Sequence, residues 1–400
     1  MANIVGDIQL NMRALPPYSD VVCEFLDYYS DKLRHDKEAR AFGDVMSFAF
    51  WARKGNITAK KIQFDRCDGS NRRVGRGVVF HIAPSNVPVN CMFTYAFGLL
   101  AGNINIVKLP STDFASLNCM LRVLKEVLKE DNFSVISKMT SFVKYDRNDD
   151  LMTKEYSSQC DVRVIWGGDE TINKIRQIYL PPRSIELTFA DRYSFGIVNV
   201  PSILKMSDSD LTSVCNDFYN DTYLMDQNAC SSPHLILFHK DGCNDEEIKT
   251  AKALFWNKVS DVATKYELAN IKASDKYLDL CEAVMDIRRG LTIKDIKSYS
   301  NRLYVCDLSD VPAQAVNNCR GRYGMFYECV IDSLDFISKL DDKKLQTCAV
   351  CGFEEKAVMD YIVKSGMHGI DRVVPFGKTL DIDTIWDGFD IINAMSRIIG

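Results

Sequence analysis

Four hundred residues exceed the usual size of one compact core and predict two domains, or one large α/β domain with an added lobe. A hydrophobic fraction of 46% with 26% charged residues is ordinary for a globular chain and excludes disorder, collagen and coiled coil. Forty-nine Lys+Arg against 54 Asp+Glu leave a net charge of −5, so nothing electrostatic points to nucleic acid, while a local basic site for a phosphorylated ligand stays open.

No apolar run reaches the roughly 20 residues of a membrane span. The opening Met1-Ala2-Asn3-Ile4-Val5-Gly6-Asp7 has neither the basic nor the apolar region of a signal peptide. Fourteen cysteines are scattered without framework spacing, which predicts reduced thiols in a cytoplasmic protein rather than disulfides.

Residues 1–75 mix charged helical stretches with aromatics and show no strand-like core run. From Gly77 apolar runs alternate with amphipathic stretches. Gly77–Ile82 reads as a buried strand, Pro84–Pro88 as a loop, Val89–Ala101 as a helix and Ile104–Lys108 as a second strand. Residues 113–130 carry Leu117, Leu121, Leu124 and Leu128 at helical spacing. Asp161–Trp166 is the next strand, Gly167-Gly168 ends it, and Asp169 opens a helix to Ile178; Ile185–Leu187 and Ser194–Val198 follow as strands. Strand, turn and helix repeated in this way predict crossover units and a parallel sheet. A second series comprises a helix near 207–222, a loop, the strand His234–Phe238, a helix near 244–266, strands at 303–306, 325–331 and 345–350, and a helix at 354–364. No repeat or Gly/Ser linker separates the two series, so the boundary is expected near 190–205.

Several constellations carry candidate chemistry. Gly75-Arg76-Gly77 precedes its strand, and Gly377-Lys378-Thr379 has Arg372 where a P-loop needs glycine, so both read as chance. Gly167-Gly168 lies between a strand and a helix N-terminus, which suits either a phosphate or a plain tight turn. Cys230 stands among Asp226, Gln227, Asn228, Ser231 and Ser232, an exposed and hydrogen-bond-rich setting for a nucleophilic thiol. Cys348-x-x-Cys351 has no second half for zinc and reads as packing, so no metal is expected. His234 could form a dyad with Cys230, but a structural role is favoured at the start of a strand. Asp146, Asp149, Asp150, Asp341 and Asp342 read as solvated turns.

Taken together, Gly77–Asn90, Ala96–Asn103, Val107–Ser111, Ile165–Ile172, Glu186–Arg192, Asp226–His234 and Gly369–Gly377 resemble the LuxC-type acyl-CoA reductases of the aldehyde dehydrogenase superfamily. The resemblance is strong over about residues 70–240, clear in the tail and loose elsewhere. It implies an α/β aldehyde dehydrogenase-like fold with two Rossmann-like parallel-sheet domains and the active site between them. The expected divisions are an N-terminal helical segment (1–75), a cofactor domain (76–195), a catalytic domain (196–370) and a tail (371–400) returning to the cofactor domain.

By the same resemblance, Cys230 matches the nucleophile and Asn86 the donor that, with the Cys230 main-chain N–H, holds the developing oxyanion. Lys108 matches the lysine at the adenosine ribose. Ser111 stands where NAD-preferring relatives often carry Glu; with Thr112 beside it, this favours NADPH (NADP+). Pro84 and Ser85 belong to the loop flanking the cofactor, and Gly167 and Gly168 match the pyrophosphate turn. Glu186 matches a glutamate with a general acid/base role, although Thr188-Phe189 replace the two glycines that follow it in relatives. The relatives' Gln two residues before the nucleophile is here Asn228, with Gln227 one earlier.

The resulting reading is a cytoplasmic, NADPH-dependent acyl-CoA reductase that makes a fatty aldehyde through a Cys230 thioester. It implies an acyl-CoA substrate, an acyl-activating synthetase as a possible partner, and a homo-oligomer. A thiol acyltransferase or thioesterase without hydride transfer, and an inactive dehydrogenase-fold subunit, stand as alternatives.

Overall fold

The computed structural model describes residues 2–68, 72–84, 87–285 and 290–400. It divides into two units: residues 1–191 with 389–400, and residues 192–388.

The first unit contains β1 (Ala2–Val5), β2 (Arg72–Gly75), β3 (Val78–Ile82), β4 (Ile104–Lys108), β5 (Thr140–Lys144), β6 (Val162–Trp166) and β7 (Ile185–Phe189). Six of these strands form a sheet in the order β1-β5-β4-β3-β6-β7. All pairs are parallel except β1–β5 at the edge. Strands covered on both faces read as continuous apolar runs, and β3 and β6 are buried at every residue. The sequence reading missed β1 and β5 because each is short and neither alternates.

Helices Asp20–His35, Gly43–Trp51 and Lys54–Asp68 lie between β1 and β2 in the chain. Phe48 and Trp51 meet Phe93 of the helix Asn90–Leu100 edge-on, with ring centroids 5.2 and 5.3 Å apart. At the other end of the chain, Ser396–Ile399 pairs antiparallel with β2.

A polar chain runs through the core of the first unit. His81, fully buried on β3, meets Thr94 Oγ1 through Nδ1 (2.8 Å) and Asn105 Oδ1 through Nε2 (3.0 Å). Burial holds the imidazole neutral, with its pKa lowered to about 4. Asn105 donates to Asn103 O (2.6 Å), and Asn103 donates to Met395 O (3.0 Å), which fixes the returning tail. Gly98 faces this chain, where a Cβ would stand 1.8 Å from Asn105 Oδ1, so only glycine fits.

The second unit contains β8 (Tyr193–Asn199), β9 (Pro233–His239), β10 (Ile293–Ser300), β11 (Leu303–Leu308), β12 (Met325–Ile331), β13 (Leu345–Cys351) and β14 (Arg372–Pro375), in the order β10-β11-β12-β9-β8-β13-β14. Only the edge pair β10–β11 is antiparallel. The segment expected to return to the first unit from residue 371 does so only from Phe389, because β14 is bonded to β13. Glu328, fully buried on β12, accepts from Trp256 Nε1 (2.6 Å) and pairs with Lys252 (2.9 Å), so a charge in the core is compensated. No helix among the described residues is long and apolar enough to cross a membrane.

Candidate active site

In the first unit the sheet order reverses between β3 and β6: the chain proceeds from β3 to β4 and β5 on one side, then crosses to β6 and β7 on the other. Ligands of open parallel sheets bind outside the carboxyl ends of the strands at such a switch point. That edge gathers the buried Pro84 just after β3, Lys108 as the last residue of β4, and Gly167-Gly168 just after β6. Ser85 and Asn86 belong to the loop after β3 and lie outside the described residues.

Lys108 is half-buried, with its ammonium over the Tyr145 ring, 4.8 Å from the centroid. Among the described residues no carboxylate lies within ion-pair distance of it, and burial lowers its pKa despite Asp146 nearby. Ser111 and Thr112 follow on the exposed surface. Gly168 is the N-cap of the helix Asp169–Arg176 and brings no capping side chain of its own, and a Cβ there would meet nothing within 4 Å. These features fit a dinucleotide: a cation with no carboxylate partner among the described residues, a glycine turn at a helix N-terminus, and open space above Gly168. Asp169 and Glu170 in the first turn offset part of the dipole's pull on a phosphate.

Glu186 does not join this group. It is the second residue of β7, in register with Arg163 of β6, toward the strand ends opposite Gly167. Its Oε2 accepts from Arg163 Nε (2.7 Å) and its Oε1 from Arg176 Nε (2.8 Å). Arg163 is 2% exposed and donates further to Ile178 O (3.1 Å). With both oxygens accepting from guanidinium groups, Glu186 neutralises a buried cation instead of standing free beside the glycine turn, where the expected acid/base role would place it.

In the second unit Cys230 lies in the loop ahead of β9, at the amino ends of the parallel strands. Its carbonyl accepts from Ser194 Oγ (2.7 Å), which also accepts from Thr347 N (3.1 Å). Two residues on, Ser232 Oγ donates to Asp221 O (2.7 Å). The loop is hydrogen-bond-rich, as expected, but less exposed: Gln227, Ser231 and Ser232 are buried and only Asn228 is open to solvent. Asp226 (φ 56°) and Gln227 (φ 60°) are consecutive left-handed non-glycine residues, a conformation that costs on the order of 1 kcal/mol each. Asp226 is held by the Tyr266 hydroxyl and by Lys272 Nζ (2.7 Å).

Most of the other thiols are poorly suited to nucleophilic work. Burial raises the pKa of all nine buried cysteines: Cys91, Cys119, Cys160, Cys215, Cys306, Cys319, Cys329, Cys348 and Cys351. Cys243, the other half-buried loop cysteine, is pushed up by burial and by Glu247 and Asp241. Cys348 and Cys351 pack into different core clusters, as an odd spacing along β13 requires, so they cannot share a metal. His234 is structural. Its Nδ1 accepts from Gly321 N (3.3 Å), so the neutral ring carries its proton on Nε2 and has no free basic nitrogen, and burial with Arg320 lowers its pKa to about 4.

The motif Gly377-Lys378-Thr379 does form an anion cradle, but the occupant is internal. Gly377 N (2.7 Å) and Thr379 N (3.0 Å) donate to the Asp221 carboxylate, with Gly377 at φ 87°. Burial outweighs these bonds and raises the Asp221 pKa from 3.8 to about 6. A carboxyl raised in the folded state favours folding below its unfolded pKa, and that contribution fades as pH climbs through about 6. Urea denaturation of wild type and Asp221→Asn should therefore show a wild-type advantage that shrinks by roughly 1–3 kcal/mol between pH 4 and pH 7. An advantage that grows with pH would contradict the assignment.

Comparison with known proteins places these loops in a family. A family model described as Acyl-CoA reductase (LuxC) matches residues 62–398. The chain belongs to the LuxC acyl-CoA reductase family. Among LuxC relatives, a long-chain acyl-protein thioester reductase of Aliivibrio fischeri is 22% identical over 326 residues, covering 81% of this chain and 63% of the relative. Long-chain acyl-protein thioester reductase 2 of Photobacterium leiognathi is 25% identical with the same coverages. The chain thus spans less than two thirds of the length of these two LuxC relatives. Among solved structures, a salicylaldehyde dehydrogenase from Pseudomonas putida G7 superposes with a TM-score of 0.62 at 12% identity, covering 96% of this chain and 85% of the other, which shows the aldehyde dehydrogenase fold.

Proposed function

We propose that this chain reduces a long-chain fatty acyl thioester to the aldehyde at the expense of NADPH, with Cys230 as the covalent carrier. The carrying observation is that the family match extends across a loop whose thiol is half-buried and whose backbone is fixed on both sides, while every buried thiol of the chain is held protonated. The names of the LuxC relatives support a thioester substrate, and acyl-CoA and an acylated synthetase are both thioester donors of the right chemistry.

The Cys230 thiolate adds to the acyl carbonyl, the donor thiolate leaves and takes a proton, and the acyl group rests on Cys230 as a thioester. When bound, the reduced nicotinamide supplies a hydride. The resulting thiohemiacetal oxyanion collapses to aldehyde and regenerates the Cys230 thiolate. At both tetrahedral stages the oxygen takes hydrogen bonds from the Asn86 amide and the Cys230 main-chain N–H, each typically worth about 3–4 kcal/mol of barrier. Lys108 and Ser111 accept the ribose and its 2′-phosphate, Gly167 and Gly168 the pyrophosphate, and Pro84 and Ser85 flank the cofactor loop. Glu186 acts by holding Arg163 and takes no part in proton transfer. The reading further implies a cytoplasmic homo-oligomer.

Turnover of a long-chain acyl-CoA should consume one NADPH per aldehyde. Lys108→Ala should raise the KM for NADPH by roughly tenfold or more and that for NADH by clearly less. Equal losses with both nucleotides would refute the 2′-phosphate assignment, and free acid formed without NADPH oxidation would identify a thioesterase.

A further inference from the structure

The loop that carries Cys230 is locked to a second strained turn. Gln227, 2% exposed, accepts from Gly324 N (2.7 Å) and Met325 N (3.2 Å) through Oε1 and donates to Met325 O (3.1 Å) through Nε2. The main chains are joined as well, because Tyr323 N donates to Asp226 O (3.3 Å). Both partners are left-handed at consecutive residues: Asp226 and Gln227 on one side, Tyr323 (φ 58°) and Gly324 (φ 85°) on the other. Gly324 could not be replaced, since a Cβ there would stand 2.0 Å from Arg302 O. The second turn is itself secured from the helix Asn270–Met285, where the fully buried Lys276 donates to Tyr323 O (2.9 Å) and Asn301 O (2.5 Å) and Asp279 pairs with Arg322.

Strained backbone persists only where its surroundings over-determine it. Here one side chain, three residues ahead of Cys230, makes three of the four hydrogen bonds that tie the two turns together. We infer that Gln227 is a positioning residue for the nucleophile: by locking Met225–Ser232 onto Arg322–Met325 it sets the direction from which the Cys230 sulfur meets the acyl carbonyl. The inference rests on the reading of Cys230 as the acyl acceptor.

The chemistry of the lock provides a test that general loss of stability would not mimic. An amide both accepts and donates, as Gln227 does. A carboxylate accepts only and would face Met325 O with a lone pair, whereas a neutral carboxyl restores the donor. The charged and titratable groups around the lock are Asp226, Lys272, Tyr266, Tyr223, Tyr323, Lys276, Arg302 and the Arg322–Asp279 pair, all present in wild type, so their titration cancels in a ratio to wild type.

The experiment measures the rate of acyl transfer from a long-chain acyl-CoA to the full chain, by quenched-flow mass analysis, for wild type, Gln227→Ala, Gln227→Glu and Trp256→Phe. The last breaks a buried hydrogen bond to Glu328 in the same unit and reports the effect of lost stability alone. Gln227→Ala should slow acylation at least about tenfold while Trp256→Phe does not. Relative to wild type at each pH, Gln227→Glu should be slow at pH 8 and recover most of the rate near pH 5.5. Rates for Gln227→Ala within twofold of wild type, or a ratio for Gln227→Glu that does not change with pH, would overturn the inference. Should Gln227→Ala not fold, the pH ratio of Gln227→Glu decides. Wild type that takes up no acyl group at Cys230 would instead refute the reading of Cys230.

Discussion

Replacing Cys230 by alanine is expected to abolish aldehyde formation, by a factor on the order of 10^4 or more, without unfolding the protein. The size follows from the route: without the thiol there is no acyl-enzyme, and direct hydride attack on the free thioester has no positioned carbonyl. Stability should survive because the loop is held through groups that the substitution leaves in place. Ser194 bonds to the carbonyl of residue 230, Ser232 to Asp221 O, and Gln227 to Gly324 and Met325. Cys230→Ser is the more demanding comparison. It preserves size and polarity but exchanges a thiol for a much weaker acid, so it should be nearly as inactive. The check is NADPH-linked aldehyde production alongside the thermal midpoint; substantial activity in either variant would remove Cys230 from the chemistry.

Replacing Glu186 should act the other way round, on stability before chemistry. Arg163 lies within the sheet at 2% exposure, and its compensating charge comes from Glu186 on the next strand. Removing one partner of a buried pair leaves an uncompensated charge, which typically costs about 3–5 kcal/mol. Glu186→Ala should accordingly lower the thermal midpoint by roughly 10 °C. Arg176, 53% exposed, contributes little because its pair with Glu186 is solvent-screened. The double variant Arg163→Leu/Glu186→Leu should recover much of the loss, since no charge is then stranded. Activity measured well below the midpoint should change only modestly. A Glu186→Gln protein with an unchanged midpoint and no turnover would restore the acid/base role.

The difference between these two residues explains how far the sequence could be read. Parallel strands covered on both faces write themselves as apolar runs, so Val78–Ile82, Val162–Trp166 and Pro233–His239 were legible within a residue or two. The strand Ile293–Ser300 was not, because an exposed edge strand of sequence IKDIKSYS has no buried face to betray it. The helix Asn270–Met285 escaped for a related reason: most of its face is exposed, with Ile271, Tyr277, Leu278 and Met285 open to solvent. Asp149 and Asp150 read as a solvated turn, whereas Asp149 caps the helix Asp150–Gln159 by accepting from Met152 N (3.1 Å).

The candidate site divides along the same line. Cys230, Lys108 and the glycine turn sit in or at the edge of loops whose motifs are contiguous in sequence. The partner of Glu186 is a register neighbour 23 residues away in the chain, and the partners of Gln227 lie almost 100 residues on. No local pattern announces either pairing. Conversely, Gly377-Lys378-Thr379 shows a local pattern correctly read as chance, because Asp221 already fills the cradle that a phosphate would need.

The central claim is that the acyl group passes through Cys230 on its way to aldehyde. Intact-mass measurement of the wild-type protein after incubation with a long-chain acyl-CoA, and again after adding NADPH, tests it most directly. The predicted result is a single acyl adduct that maps to Cys230 and disappears on NADPH addition with release of one aldehyde. An adduct on another residue, or one that leaves only as free acid whether or not NADPH is present, would contradict it.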